Sequence, residues 1–327
     1  MSDRAEAVET LLLNAGVADD VGDVERVVEL LGEVVKLTPR NPAAWAWLGD
    51  AEARREQYSA AEEAFRTSIA LDGCRAAARS GLAMVLQETS RHQEAECELE
   101  RSIELEPTAG RYVLLAHSLR ALGKQREAEE ALRASLALDP ENEEALVSLA
   151  QVLRDTRPTE SLALLHRALA VAPSDHIVMR ELSIALAKSG KPMEAVQVLE
   201  RLIDGQPDDE WAHVYLGAAL EDLGKLDLAE ASFNRAATTA PLSVPVLLLL
   251  GFFLSRRGRT ADAEDVFRRA TCIDPSDPDA AYALAASVAD TGRNAEAIPL
   301  LESVLLLRPS HEGALRMRRR LKAPYDP

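Results

Sequence analysis

Histidine and carboxylate side chains could ligate a metal or transfer protons, but their spacing in this sequence favours neither role. None of the six histidines has a second histidine four positions away, the spacing that places two ligands on one helix face. The alternating glutamates between 94 and 100 would point in different directions from a helix, and Asp277 and Asp279 lie at a junction between helices. We therefore expect no catalytic residue, no metal and no cofactor, and we do not expect an enzyme.

Glycine–lysine pairs are the other feature that could do chemistry, because a glycine-rich loop followed by lysine can hold a phosphate. They occur at 123–124, 190–191 and 224–225. No GxxxxGK, GxGxxG, GxSxG or HExxH pattern surrounds them, and they recur at the places where helices end. We interpret them as turns.

The cysteines and the apolar segments bear on the compartment. Cys74, Cys97 and Cys272 stand singly without a CxxC pair, which is unlike a disulfide framework or a zinc site and favours a reducing compartment. The first residues carry acids where a signal peptide carries bases, and the apolar stretch Val244 to Leu254 is shorter than the roughly 20 residues of a membrane span. We expect a cytoplasmic protein without membrane insertion.

The overall charge bears on the choice of partner. A net charge of -17 and an isoelectric point near 4.9 would repel phosphates, so we do not expect nucleic acid as the partner. The basic cluster between Arg316 and Lys322 lacks interleaved aromatic residues and suits a helix C-terminus. Abundant alanine and leucine with only 4% aromatic residues favour packed helices.

The elements that must position any binding residue are repeats, because prolines recur in a single register. Eight of the sixteen prolines form this register, in which successive members are 33 or 34 residues apart except for one gap of 68 with Gly73 at its midpoint. Since proline lacks an N–H and stops a helix, each one marks the end of a unit of structure. The register consists of Pro39, Pro107, Pro140, Pro173, Pro207, Pro241, Pro275 and Pro309.

Small and large apolar residues recur at fixed places within this register. The clearest series are Trp45, Leu48, Gly49, Ala61 and Phe65; Leu216, Gly217, Ala229, Phe233 and Pro241; and Leu250, Gly251, Ala263, Phe267 and Pro275. This pattern resembles the tetratricopeptide repeat family. The resemblance implies an all-α fold, a right-handed α-solenoid or superhelix of stacked antiparallel helix pairs.

The same frame predicts the organisation of the chain. Residues 1–41 form a degenerate N-terminal repeat, residues 42–309 form eight repeats, and residues 310–327 form a C-terminal capping helix and tail. Five repeats carry glycine where the first helix of the pair ends, at Gly123, Gly190, Gly224, Gly258 and Gly292. The fourth repeat has Asp155 to Pro158 instead and one residue fewer, so we expect a local irregularity there.

The resemblance also implies a concave groove lined by the first helix of each pair. Transferred place by place, it predicts a basic part in the middle repeats and an apolar part in the C-terminal repeats. The alternative is a purely structural role, in which the apolar side chains pack against neighbouring helices. The predicted protein-binding residues are His117, Arg120, Gln151, Arg154, Arg180 and Lys188, followed by Trp211, Val214, Leu248, Phe252 and Tyr282.

We predict a non-catalytic scaffold or adaptor whose groove binds a protein segment that is acidic and amphipathic. Two alternatives stay open. The apolar part of the groove could accept Leu11 to Leu13 of another copy and form a homo-oligomer. The chain could also be the regulatory subunit of a separate enzyme, because similar arrays often precede enzyme domains.

Overall fold

The computed structural model describes residues 2–322, and the last part of the predicted tail, 323–327, lies outside the described residues. The described chain consists of nineteen α-helices and turns, as the family resemblance implies. It divides into two compact units between Pro173 and Ser174.

The first unit contains ten helices, which form consecutive antiparallel pairs. They are α1 (Ser2–Asp20), α2 (Val24–Leu37), α3 (Pro42–Arg54), α4 (Tyr58–Leu71), α5 (Ala76–Glu88), α6 (His92–Leu105), α7 (Ala109–Ala121), α8 (Gln125–Leu138), α9 (Glu143–Leu153) and α10 (Pro158–Val171).

The second unit contains four further pairs and one closing helix. They are α11 (His176–Lys188), α12 (Pro192–Gly205), α13 (Glu210–Asp222), α14 (Leu226–Thr239), α15 (Val244–Arg256), α16 (Thr260–Ile273), α17 (Pro278–Asp290), α18 (Asn294–Leu307) and α19 (Glu312–Lys322).

Odd-numbered helices form the inner layer of each unit. In the first unit α3, α5, α7 and α9 contact one another in succession, and in the second unit α11, α13, α15, α17 and α19 do the same. Among the described residues of either unit, no two successive even-numbered helices approach as closely. The odd-numbered helices therefore lie on the inner side of each unit, where the resemblance places binding residues.

Glycine ends six of the odd-numbered helices, which are the five predicted and α1, where Gly22 stands. Each of these glycines has a positive φ between 70° and 78°, a conformation that glycine adopts without steric cost. Glu56 and Ser90 adopt the same conformation at the equivalent turns after α3 and α5, with φ of 59° and 60°. The predicted irregularity in the fourth repeat is confirmed, because α9 has 11 residues where α7 and α11 have 13.

The two helices of a pair can approach closely because a small residue of the first helix faces a large residue of the second. A Cβ added to Gly251 would lie 2.3 Å from the ring of Phe267, and one added to Gly217 would lie 2.9 Å from the ring of Phe233. Real Cβ atoms do not come so close, so only glycine permits these interhelical distances.

Ion pairs join successive even-numbered helices on the outer side. A glutamate on one such helix meets the basic residue that immediately precedes the next one. Glu62 and Arg91 are 2.8 Å apart, and Glu96 and Lys124 are 2.7 Å apart. The further pairs are Glu129–Arg157, Glu230–Arg259 and Glu264–Arg293.

The apolar stretch Val244 to Leu254, which we predicted not to span a membrane, lies in α15. This helix buries Val246, Leu247, Leu250 and Phe253 in the second unit. Within the described part of the chain, no helix has the length and apolar character that crossing a membrane requires.

Candidate protein-binding surface

Five aromatic and leucine side chains form an apolar surface on the inner layer of the second unit. Trp211 and Tyr215 lie one turn apart on α13, and Leu248, Leu249 and Phe252 lie on the neighbouring helix α15. We call this set the second-unit apolar face. Phe252 is 43% exposed and Leu249 36% exposed, whereas the other three are half-buried.

Local capping and packing position this face. Asp209 precedes α13 and its carboxylate accepts a hydrogen bond from the N–H of Ala212 at 2.9 Å, which fixes the start of the helix. The rings of Trp211 and Tyr215 are 6.1 Å apart, and that of Phe252 lies 5.3 Å from Phe267. Each exposed ring is thus supported by another aromatic ring.

The structure corrects the predicted apolar residues in one place. Val214 is only 4% exposed, so its side chain packs inside the second unit and offers no surface to a partner. Tyr282 is half-buried, with its ring 4.6 Å from that of His311 and in contact with Gly313 at the start of α19. Its ring therefore contacts residues at the start of the closing helix and packs against the buried cluster beneath it.

Tyr215 and Leu249 belong to the face but were not among the predicted residues. Both occupy the place immediately after that of Val214 or Leu248 in the repeat. On a helix this step turns the side chain by about 100°. The places transferred from the family resemblance did not include this one and therefore missed both residues, although their large apolar side chains could have signalled an exposed position.

His117, a predicted polar residue of the first unit, lies near two other polar side chains. Its Nε2 lies 3.4 Å from Ser148 Oγ and 3.7 Å from a carboxylate oxygen of Glu144. Burial lowers the pKa of His117, Glu144 opposes this and Arg120 reinforces it, so the pKa lies below its ordinary value. Near neutral pH the imidazole is therefore uncharged, and it adds no positive charge to this surface.

The predicted cations all interact with other groups of the chain. Arg180 has its guanidinium 3.7 Å from Asp209. Arg120, Arg154 and Lys188 also have partners, and Gln151 is half-buried on α9. Arg180 and Lys188 belong to the second unit, whereas the other predicted polar residues belong to the first.

A cavity of about 510 Å³ lies beside the second-unit apolar face. Trp211 forms one wall, and His176 and Arg180 on α11 contribute to the opposite side. The turn before α13 supplies the remaining lining, which consists of Gln206, Pro207, Asp208, Asp209 and Glu210. The cavity is therefore bounded by an aromatic ring and by both signs of charge.

Within residues 2–322, no three histidine, cysteine or acidic side chains converge in a way that could hold a metal ion. The surface that combines exposure, aromatic rings and a cavity is the one on α11, α13 and α15. Its chemistry is suited to non-covalent contacts, which are burial of apolar groups, ring stacking and ion pairing.

Sequence models of the tetratricopeptide repeat match residues 15–73, 113–176, 153–210, 180–244 and 254–321, which together make up more than half of the chain. The chain belongs to the tetratricopeptide repeat family. No curated protein sequence matches it.

Solved structures similar to this tetratricopeptide repeat protein include yeast Tom70, with a TM-score of 0.61 and 14% identity over 96% of this chain and 88% of that one. A tetratricopeptide repeat protein from Parabacteroides merdae gives a TM-score of 0.59 and 16% identity, covering 76% and 99% of the two chains. PilW, a type IV pilus biogenesis factor, gives 0.57 and 23%, covering 63% and 96%. At these identities the likeness concerns the fold, which generally serves as a protein-interaction scaffold.

Proposed function

We propose that this protein is a non-catalytic scaffold or adaptor that binds a segment of another protein on the second-unit apolar face. The observation that carries the proposal is the exposure of Phe252 and Leu249 on neighbouring turns of one inner helix. Exposed apolar patches on a soluble protein mark interaction sites when the side chains are contiguous. The tetratricopeptide repeat fold supports the same class of function.

Burial of the face would supply most of the binding free energy. Covering an exposed large apolar side chain contributes about 1 to 2 kcal/mol, depending on the area removed from water. Aromatic residues such as Trp211 and Phe252 are also the side chains that most often dominate a protein interface. A partner with apolar residues along one side, amphipathic in character, suits this surface.

The acidic character predicted for the partner is not part of this proposal. It depended on cations in the middle repeats that would seek carboxylates outside the chain. Arg180 already faces Asp209, and the other cations have partners of their own. An acidic segment would have to replace these interactions, so we retain only the amphipathic character.

A cytoplasmic location accompanies the proposal. Its support is the three cysteines, Cys74, Cys97 and Cys272, all of which are exposed thiols without a disulfide partner. Exposed free thiols persist in a reducing compartment. Action as the regulatory subunit of a separate enzyme is one form that such an adaptor could take.

The self-assembly alternative receives less support. The segment predicted to enter the groove of another copy was Leu11 to Leu13. Leu11 and Leu12 are half-buried against the clusters that contain Leu31 and Val34 of their own chain, and only Leu13, which is 69% exposed, faces solvent. Moving them would disrupt the first helix pair. We therefore propose a different protein, and not a second copy, as the partner.

Affinity capture with the full chain tests the proposal. The double variant Leu249→Asp with Phe252→Asp places two charges on the face, and Leu228→Asp places one on an exposed side chain of α14 that is 57% exposed. We expect quantitative mass spectrometry to show partners that the wild type and Leu228→Asp retain and the double variant loses. The same partners on all three proteins would refute the proposed site, once circular dichroism has shown equal helix content.

A further inference from the structure

We propose that the bound segment carries an arginine or lysine whose side chain enters the cavity beside Trp211. This inference rests on the proposed function and adds the chemistry of the partner. The partner's charge is then the reverse of the one expected from the sequence, because this inference depends on the carboxylates of the second unit alone.

The charge inside the cavity is negative. Three carboxylates, those of Asp208, Asp209 and Glu210, line it together with a single guanidinium, that of Arg180. Asp209 is the closest acid to Arg180, at 3.7 Å, and balances its charge. The carboxylates of Asp208 and Glu210 remain, and a cation entering the cavity would meet both.

The two remaining carboxylates are available to a partner. Asp208 has a side chain that is 84% exposed, and its ion pair with Arg235, at 3.3 Å, joins two exposed groups and therefore contributes little. Glu210 is half-buried at the first position of α13, next to the indole of Trp211. Among the described residues, a basic ligand would therefore compete only with the exposed ion pair that Asp208 forms with Arg235.

Trp211 adds a second kind of group that attracts a cation. The face of an indole ring attracts a guanidinium or an ammonium, most strongly when the site excludes part of the water. A carboxylate beside the ring strengthens this preference because both groups favour the same charge. The combination therefore selects a basic side chain over a neutral polar one.

The far ends of two inner helices of the second unit, α13 and α17, are acidic, whereas α11 ends in Lys188, which already has a partner within the chain. Asp222 and Asp290 are exposed and are the last residues of α13 and α17. A carboxylate at that end of a helix opposes the helix dipole, so neither acid is there to stabilise its own helix. Arg256, the basic residue at the equivalent end of α15, is engaged by both carboxylate oxygens of Glu221 at 2.8 and 2.7 Å.

An acidic ligand would be opposed at both ends. To reach Arg180, its carboxylate would have to displace Asp209, whose own carboxylate also caps α13 through Ala212. A basic segment instead places its charges against acids at both ends of the inner helices, and its apolar residues on Leu249 and Phe252. Charge complementarity therefore favours the basic segment.

Selection from a displayed library of random linear peptides on the immobilised full chain tests the inference. We expect peptides that bind the wild type, and not the Leu249→Asp, Phe252→Asp variant, to be enriched in arginine and lysine over aspartate and glutamate. Enrichment of acidic residues, or of neither sign, would overturn the basic ligand while leaving the proposed function intact. Peptides that bind both proteins equally would overturn the proposed function itself.

A charge-matched pair of variants then locates the basic side chain. Asp208→Asn with Glu210→Gln removes two carboxylates from the cavity, and Glu200→Gln with Asp204→Asn removes two exposed ones from α12. For a selected basic peptide, we expect fluorescence anisotropy to show about tenfold weaker binding to the cavity variant than to the α12 variant. Equal affinities would show that the cation does not enter the cavity and would overturn the inference.

Discussion

Phe252 packs against the protein and faces solvent at the same time. Its ring is 5.3 Å from Phe267, which fills the space left by Gly251, yet 43% of the residue is exposed. A side chain so placed is held in one orientation before any partner arrives. Binding then costs less conformational entropy than it would for a freely rotating side chain.

Turn residues give the first prediction at this scale. Ser90 ends α5 with φ of 60°, where glycine ends six other odd-numbered helices. Ser90→Gly removes the steric cost of the left-handed conformation, which exceeds the added freedom of glycine in the unfolded chain. We expect the free energy of unfolding to rise by about 0.5 to 1 kcal/mol, as measured by denaturant titration of the full chain.

The reverse change provides the control. Gly258 has φ of 74° after α15, with open space where a Cβ would stand. Gly258→Ser therefore introduces backbone strain without a clash, and we expect a loss of about 1 kcal/mol. Equal stability of Ser90→Gly and the wild type would show that the turn after α5 is not strained.

How far single residues could be predicted depended on what each position requires. The glycine turns were predictable because one residue type satisfies a positive φ cheaply. Val214 and Tyr215 could not be separated in the same way, since adjacent apolar residues on an inner helix differ only in the neighbour that each one meets. That information lies in the packing of α13 against α11 and α15.

At the scale of elements, the ion pairs bridge even-numbered helices whose backbones stand further apart than those of the inner layer. Arg91, at the start of α6, meets Glu62 on α4 and Glu94 on its own helix, with distances of 2.8 and 2.6 Å. Long side chains suit this outer side because they span a wider gap than an apolar contact can. This series was not predicted, and of its glutamates only Glu96 was considered, as a possible metal ligand or catalytic group.

The titration of Glu62 gives the second prediction. Burial raises its pKa, but hydrogen bonds from Arg91 and Arg66 outweigh burial and hold the pKa below the ordinary value of 4.5. The ion pairs therefore stabilise the fold fully above that value, and the contribution is lost as the pH falls through the lower pKa of the folded state. We expect Glu62→Gln to cost about 0.5 to 1 kcal/mol at neutral pH after solvent screening, and progressively less in acid.

Denaturant titration at neutral pH and below the ordinary glutamate range measures this dependence. Glu63→Gln is the matched control, because Glu63 is the exposed neighbour of Glu62 on α4. We expect its effect on the free energy of unfolding at neutral pH to be smaller than that of Glu62→Gln. A Glu62→Gln penalty that did not shrink in acid would show that packing, and not charge, is responsible.

At the scale of the whole molecule, the repeat was predictable from the chain because each helix pair contacts mainly its neighbours in sequence. The register of prolines and the recurring small residues indicate the order of the helix pairs along the chain. The division between Pro173 and Ser174 was not predicted, because it interrupts neither the register nor the alternation of helices. The shortened helix α9 is the nearest irregularity that the sequence reveals.

Stability in such an array is a sum of local terms, and this gives the third prediction. Phe253 is fully buried on α15, with its ring 5.0 Å from that of Phe233. Phe253→Ala removes this contact and leaves a cavity that costs about 3 to 5 kcal/mol. We expect hydrogen exchange followed by mass spectrometry to show faster exchange across the second unit, with protection of the first unit unchanged.

The converse variant distinguishes local from global unfolding. Phe65 is buried in the first unit between Ala61, Leu82 and Leu86 and fills the space left by Gly81. Phe65→Ala should therefore speed exchange in the first unit and leave α13 and α15 protected, so that the second-unit apolar face still binds its peptides. Faster exchange throughout the chain in either variant would mean that the protein unfolds as one cooperative body, because a purely local cavity cannot release distant amides.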